Sequence, residues 1–212
     1  MPSRIQWSVL ILLLLTATVG AAVPLDALET RHLLSDATSL AVLNQKIIYA
    51  ELRGRVNIPL PSAISVLQDP AFLTRAQEEY GRSLPPGTRP EFTVQQGATN
   101  AWFYTNKEGE RTDITETARR IRGEDSLDLV YYTRGRRFFG EYQALIHIQL
   151  AGDGTETEYI VAVYAYPENG VSRFFARHFR LVERYFHGKT DEIAGLAVRL
   201  SARLCDGSLT KN

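Results

Sequence analysis

Residues 141–167 read EYQALIHIQLAGDGTETEYIVAVYAYP, and no other stretch limits the fold as tightly. Tyr142, Ala144, Ile146, Ile148 and Leu150 take one parity, while Glu141, Gln143, His147 and Gln149 take the other. Period two over ten residues fits a strand with one covered face and one wet face. On that pattern His147 points outward. The Asp-Gly at 153–154 is the strongest turn signal in the chain and folds the next segment back as an antiparallel partner. In that segment both sets are apolar, so Tyr159, Val161 and Val163 compete with Ile160, Ala162 and Tyr164 for the covered side.

Earlier segments extend the same sheet. IIYAELRGRVNI, residues 47–58, reads as a strand with Leu52, Val56 and Ile58 on one parity and Arg53, Arg55 and Asn57 on the other. Pro59 and Pro61 end it, because neither can donate to a ladder. SAISVL is then a short helix that stops at Asp69-Pro70, since a residue before proline is pushed out of the α region. AFLTRAQEEYG supplies a second short helix. EFTVQQ, NAWFYTN, RTDITETARRI and SLDLVYYT follow as strands, with reversals at KEGE and at Arg134-Gly135. Leu127, Leu129 and Tyr131 form the inward set of their strand. Ser35–Gln45 reads as a weak helix within a lead-in to the domain.

The C-terminal part has helical spacing. Phe175, Phe179, Val182 and Phe186 form one stripe, and Arg173, Arg177, Arg180 and Arg184 form the opposite one. Past Gly188, Thr190 caps a continuation in which Ile193, Leu196, Ala197, Leu200 and Leu204 are buried. The reading is one long helix with a break, or two in series.

Residues 1–22 have the form of an export signal: Arg4, an apolar run from Val9 to Leu15, then small residues up to Ala22. The apolar run is shorter than the ~20 residues of a spanning helix. Cleavage predicts a periplasmic or secreted protein, and an uncleaved segment would be a membrane anchor. The domain plan is then a signal at 1–22, a lead-in at 23–46, one domain at 47–205 and a tail at 206–212. The formal net charge is zero, which excludes bulk electrostatic binding of nucleic acid. Hydrophobic residues make up 44%, enough for a large core. Cys205 is the single cysteine, so an intramolecular disulfide and cysteine-based zinc motifs are excluded.

The order of strand, two short helices, antiparallel strands and long helix resembles the START-like, or SRPBCC, superfamily of polyketide cyclases and lipid-transfer domains. RVNIPLPSAISVLQDPAFL resembles the family's opening strand, proline-led helix and Asp-Pro stop, and FFGEYQALIHIQLAGDGTETEYIVAVY its late hairpin. The resemblance spans roughly 47–205 and implies an α+β helix-grip fold, in which a curved antiparallel sheet wraps a long C-terminal helix and leaves an apolar space. It therefore implies binding of a hydrophobic small molecule, of lipid or isoprenoid kind, and because the chain has no G-x-S-x-G elbow, P-loop or G-x-G-x-x-G the leading expectation is a non-enzymatic carrier. A cyclase- or hydrolase-like enzyme and a protein-interaction domain with a filled core are the alternatives.

The residues expected to line the space are Trp102, Tyr104, Leu129, Tyr131, Tyr142, Ala144, Ile146, Tyr159, Phe175 and Phe179. The competing reading of each is plain packing between sheet and helix. Arg173, Arg177, Arg180 and Arg184 could meet an anionic membrane, against the simpler reading of a solvated face. The four histidines have no metal spacing, and neither metal nor cofactor is expected. Glu141 and His147, six apart on one strand, would be ~20 Å apart and form no acid/base pair. Glu116 and Glu141 could approach across strands.

Overall fold

The computed structural model describes residues 27–90, 92–122, 126–137, 139–152 and 155–170, together with Arg173, Phe174, Arg184 and Gly188. Two helices lead in, α1 (Ala27–Leu33) and α2 (Ala37–Gln45). β1 (Ile48–Val56) is followed by α3 (Leu60–Gln68) and α4 (Phe72–Ser83). Six strands then run in succession: β2 (Phe92–Gln96), β3 (Ala101–Asn106), β4 (Arg111–Arg122), β5 (Ser126–Arg137), β6 (Gly140–Gly152) and β7 (Thr157–Pro167). They form one antiparallel sheet in the order β1-β7-β6-β5-β4-β3-β2.

The helix-grip architecture is corrected by this arrangement. Among the described residues the fold is a seven-stranded antiparallel sheet with a few short helices, the longest of twelve residues, and no long C-terminal helix. The stripe that suggested such a helix, with Phe175 and Phe179, lies outside the described residues, as do the export signal and Cys205. A single covered face, the premise of that architecture, is not what the sheet has. Both faces of its centre are covered, and short helices do part of that work on each side.

On one face, here the front, α3 and α4 pack through Leu60, Ala63, Ile64, Val66, Leu67 and Phe72 onto Leu127, Leu129, Ile148, Leu150 and Val161. On the back, α1, α2 and Leu34 between them place Leu33, Leu34, Leu40, Val42 and Leu43 against Val130, Leu145, Ala162 and Tyr164. Each fully buried side chain of this kind contributes ~1.5–3 kcal/mol. The lead-in is thus part of the domain's core. It also resolves the ambiguity in β7: Tyr159, Val161 and Val163 face front, and Ile160, Ala162 and Tyr164 face back.

Local chemistry fixes the helix ends. Asp36 caps α2, its carboxylate accepting from the Ser39 amide at 2.7 Å. Pro61 sits in the first turn of α3, where its missing N–H costs nothing, so the helix starts at Leu60. Asp69 ends α3 and accepts from the Ala71 amide at 2.8 Å.

The reversal expected at Arg134-Gly135 does not occur there. β5 continues to Arg137, and the turn comes at Gly140, whose φ of 100° suits glycine. Gly135 lies inside the strand, opposite Thr112 and Tyr142. A Cβ on it would run into the Thr112 hydroxyl and stand 2.9 Å from Thr112 Cβ and 3.1 Å from its Cα. The glycine is there for close approach of a neighbouring strand's side chain. Gly135→Ala should therefore destabilise the protein by ~1–3 kcal/mol, the cost of overpacking. Urea titration of both proteins checks this, with the midpoint falling and the slope unchanged.

Candidate functional site

Antiparallel register brings the front-facing residues into rows that cross the sheet. One row is Trp102, Ile114, Thr133, Ala144, Ala165 and Ile48, from β3 to β1. The next, toward the β5–β6 turn, is Tyr104, Thr112, Gly135, Tyr142 and Pro167. On the other side lies Glu116, Tyr131, Ile146, Val163 and Ala50. All eight described residues expected to line an apolar space therefore share this face.

All but Tyr104 divide between two apolar clusters. Trp102, Leu129 and Tyr131 are buried with α3 and α4, and Tyr159 packs against the same cluster. Tyr159 lies over Gly54, whose missing side chain leaves the ring its place. Tyr142 and Ala144 belong to the second cluster, with Ile48, Ala50, Phe139, Val163 and Ala165, and Ile146 touches both. Among the described residues, no helix contributes to this second cluster. Small residues at Ala50, Ala144 and Ala165 set its contour.

Polar groups gather where the rows meet β3 and β4. The Tyr104 and Tyr142 hydroxyls are 3.4 Å apart. Arg137 is buried, its guanidinium 4.9 Å from the centre of the Tyr104 ring and 3.9 Å from Glu110. Burial, with Tyr104 beside it, pushes the Tyr142 hydroxyl well above its ordinary pKa, and burial with Glu116 nearby does the same to Tyr131. Both hydroxyls stay protonated at neutral pH and can donate. The Trp102 ring meets Tyr131 edge-on, with centres 6.1 Å apart. Trp102 is 6% exposed, yet its indole N–H has no hydrogen-bond partner. The buried Thr112 hydroxyl likewise closes no well-formed hydrogen bond, although it faces Tyr142 closely enough to oppose that residue's rise in pKa.

A bulge between Glu116 and Ala118 shifts β4 by one residue, so Arg119 joins Glu116 on the front. Arg119 donates to Glu116 at 2.8 Å and to the Leu67 carbonyl at 3.2 Å, tying the end of α3 to the sheet. Glu141 pairs with Arg136 on the back, so Glu116 and Glu141 lie on opposite faces and do not approach. The arginines of 119–122 and 134–137 lie toward opposite ends of β5, from ~17 Å apart for Arg119 and Arg134 to ~36 Å for Arg122 and Arg137 along the strand, and do not converge. Arg173 hydrogen-bonds the Tyr166 hydroxyl and lies over its ring, Arg184 is exposed, and Arg177 and Arg180 lie outside the described residues. No group of three or more potential metal ligands occurs among the described residues.

The back face holds the largest departure from expectation. His147 points away from the front as its parity requires, but it is fully buried beneath α1 rather than wet. Its Nε2 is 3.1 Å from Asp128 Oδ1 and its Nδ1 is 3.0 Å from Thr30 Oγ1, which is also 3.0 Å from the Tyr164 hydroxyl. One proton assignment satisfies the chain with a neutral imidazole: Tyr164 donates to Thr30, Thr30 to His147, and His147 to Asp128. Hydroxyl, imidazole and carboxylate stand in the order of a nucleophilic triad. Thr30 and His147 have no exposed surface, however, and Tyr164 occupies the other side of the hydroxyl. The network is a clamp between α1 and the sheet. Parity placed His147 on the correct face, and only the cover supplied by the lead-in was missed.

Solved structures share the fold. A conserved protein from Geobacillus kaustophilus superposes with a TM-score of 0.53 at 12% identity, covering 74% of this chain and 96% of its own. A hypothetical protein from Helicobacter pylori gives 0.50 at 7% identity, covering 72% and 87%. The chain's structural neighbours are thus bacterial proteins with an antiparallel-sheet core. No family model and no curated protein matches the sequence.

The clamp has a pH signature. Burial pushes the Asp128 carboxyl up, but hydrogen bonds from His147 and Gln149 and the nearby Arg122 outweigh it, leaving the group below the usual range. A depressed folded-state pKa gives stability that is complete above the unfolded value of ~3.9 and lost as pH falls through the folded one. Asp128→Asn should lower the melting temperature at pH 7 and flatten the acid limb. Thermal melts from pH 7 to 2 test this, since an undiminished acid limb in the variant would place its cause elsewhere.

Proposed function

We propose that this chain is an exported, START-like module that holds an apolar small molecule against the front face of its sheet, as a carrier rather than a catalyst. One observation carries the reading: eight aromatic, aliphatic and small residues from four strands converge on a single face, and a buried indole N–H among them has no partner. Polar groups on a predominantly apolar lining are what orient a small ligand. The strand order with two short helices after β1 supports the START-like kinship, and the apolar run of residues 9–15 supports export. Catalysis is disfavoured by the chemistry of the face. Its carboxylate Glu116 is engaged by Arg119, and the residues that imitate a triad lie buried on the opposite side.

Native mass spectrometry of protein purified from its own host should show a co-purifying apolar molecule, and the emptied protein should take up diphenylhexatriene. Ala144→Phe, at the centre of the face, should melt near wild type and lose that uptake. A folded wild type that carries no lipid and takes up no probe contradicts the carrier. A sharp loss of stability in Ala144→Phe, with no uptake by wild type, marks a filled core instead.

A further inference from the structure

Trp102 Nε1 can only donate, and a donor buried without a partner forfeits the hydration it had in the unfolded chain. It is 6% exposed and unpartnered. Thr112, diagonal to it across the β3–β4 ladder and 1% exposed, turns its hydroxyl to Tyr142 and leaves the indole unmet. Both belong to the front face, on adjacent rows. A buried donor left unmet on an apolar face points to an acceptor that the chain itself does not provide.

The charge of that acceptor follows from its surroundings. One guanidinium on this face, Arg137, stacks on Tyr104, pairs with Glu110 at 3.9 Å and donates to the Arg136 carbonyl at 2.5 Å. Local charge is therefore balanced already. A carboxylate brought here would be a buried, uncompensated anion, which is costly. Tyr104, Tyr142, Tyr131 and Thr133 are neutral around Trp102 and Thr112, and Glu116, the other diagonal neighbour of Trp102, is already paired with Arg119. An uncharged oxygen satisfies the donors and adds no charge.

We propose that the front face recognises an apolar molecule bearing an uncharged carbonyl oxygen, a long-chain ketone or ester, and that Trp102 Nε1 donates the hydrogen bond that seats it beside Thr112. This rests on the apolar-binding reading above and adds the class of ligand.

Diphenylhexatriene bound to the full chain is displaced with three probes of matched length: 2-tridecanone, tridecane and dodecanoate. The ketone should displace it at a concentration about five- to tenfold lower than either other probe, the worth of one buried hydrogen bond. In Trp102→Phe the difference between ketone and alkane should close. The chain has two tryptophans, Trp7 and Trp102, so in Trp7→Phe the single indole N–H resonance reports the site directly. That resonance should move downfield with ketone and stay put with alkane. The readout holds even if Trp102→Phe fails to fold. Equal displacement by ketone and alkane with an unmoved indole overturns the carbonyl site while leaving the apolar container standing. Preference for dodecanoate overturns the uncharged class. Failure of diphenylhexatriene to bind at all defeats the container, and the carbonyl site with it.

Discussion

Strands β5, β6 and β7 carry apolar side chains on both faces, and neither face can be left to water. Leu127, Leu129 and Tyr131 need cover in front, while Val130, Leu145, Ala162 and Tyr164 need it behind. This two-sided demand organises the molecule. It recruits α3 and α4 to one side and α1 and α2 to the other, and it leaves the aromatic rows from β3 to β6 on the front. The centre of the back is closed by hydrocarbon together with a polar clamp, and the front is where we propose that a ligand sits.

The clamp shows how polar residues can sit in such a core. Asp128, His147 and Thr30 would each be costly to bury alone. Together they form a chain in which each donor finds an acceptor, extended by Tyr164 and Gln149 and edged by Arg120 and Arg122. A satisfied network is tolerated where a broken one is not, which ties the position of α1 to the register of β5 and β6. The front face has the opposite character. There the Trp102 indole N–H is buried without a partner among aromatic and aliphatic side chains, and a lone donor on an apolar lining is the reason to propose binding on that face.

Much of this is legible in the sequence, because alternation in β6 and the Asp-Gly turn leave few options. The parities of 142–150 and 127–131 locate the front face, and Asp69-Pro70 marks the end of α3. Other features depend on tertiary context. Gly135 looks like a turn residue because glycine usually is, but here it makes room for Thr112 from the next strand. The β4 bulge that moves Arg119 to the front leaves no mark in composition. In β7 both parities are apolar because both faces are covered, and that was the available sign that the sheet had no wet side at its centre. His147 read as outward and exposed because the helices that bury it come from more than a hundred residues earlier in the chain.

The central claim, that binding belongs to the front face and the back is structural, is tested most directly by photolabelling. An alkyl ketone carrying a diazirine would be activated in the presence of the full chain, and the labelled residues mapped by tandem mass spectrometry. The account predicts labels on Trp102, Tyr131, Tyr142 and Ile146, suppressed by excess unlabelled ketone. Saturable labelling of the back, at Tyr49, Tyr132 or Ile160, with the front untouched, would contradict it.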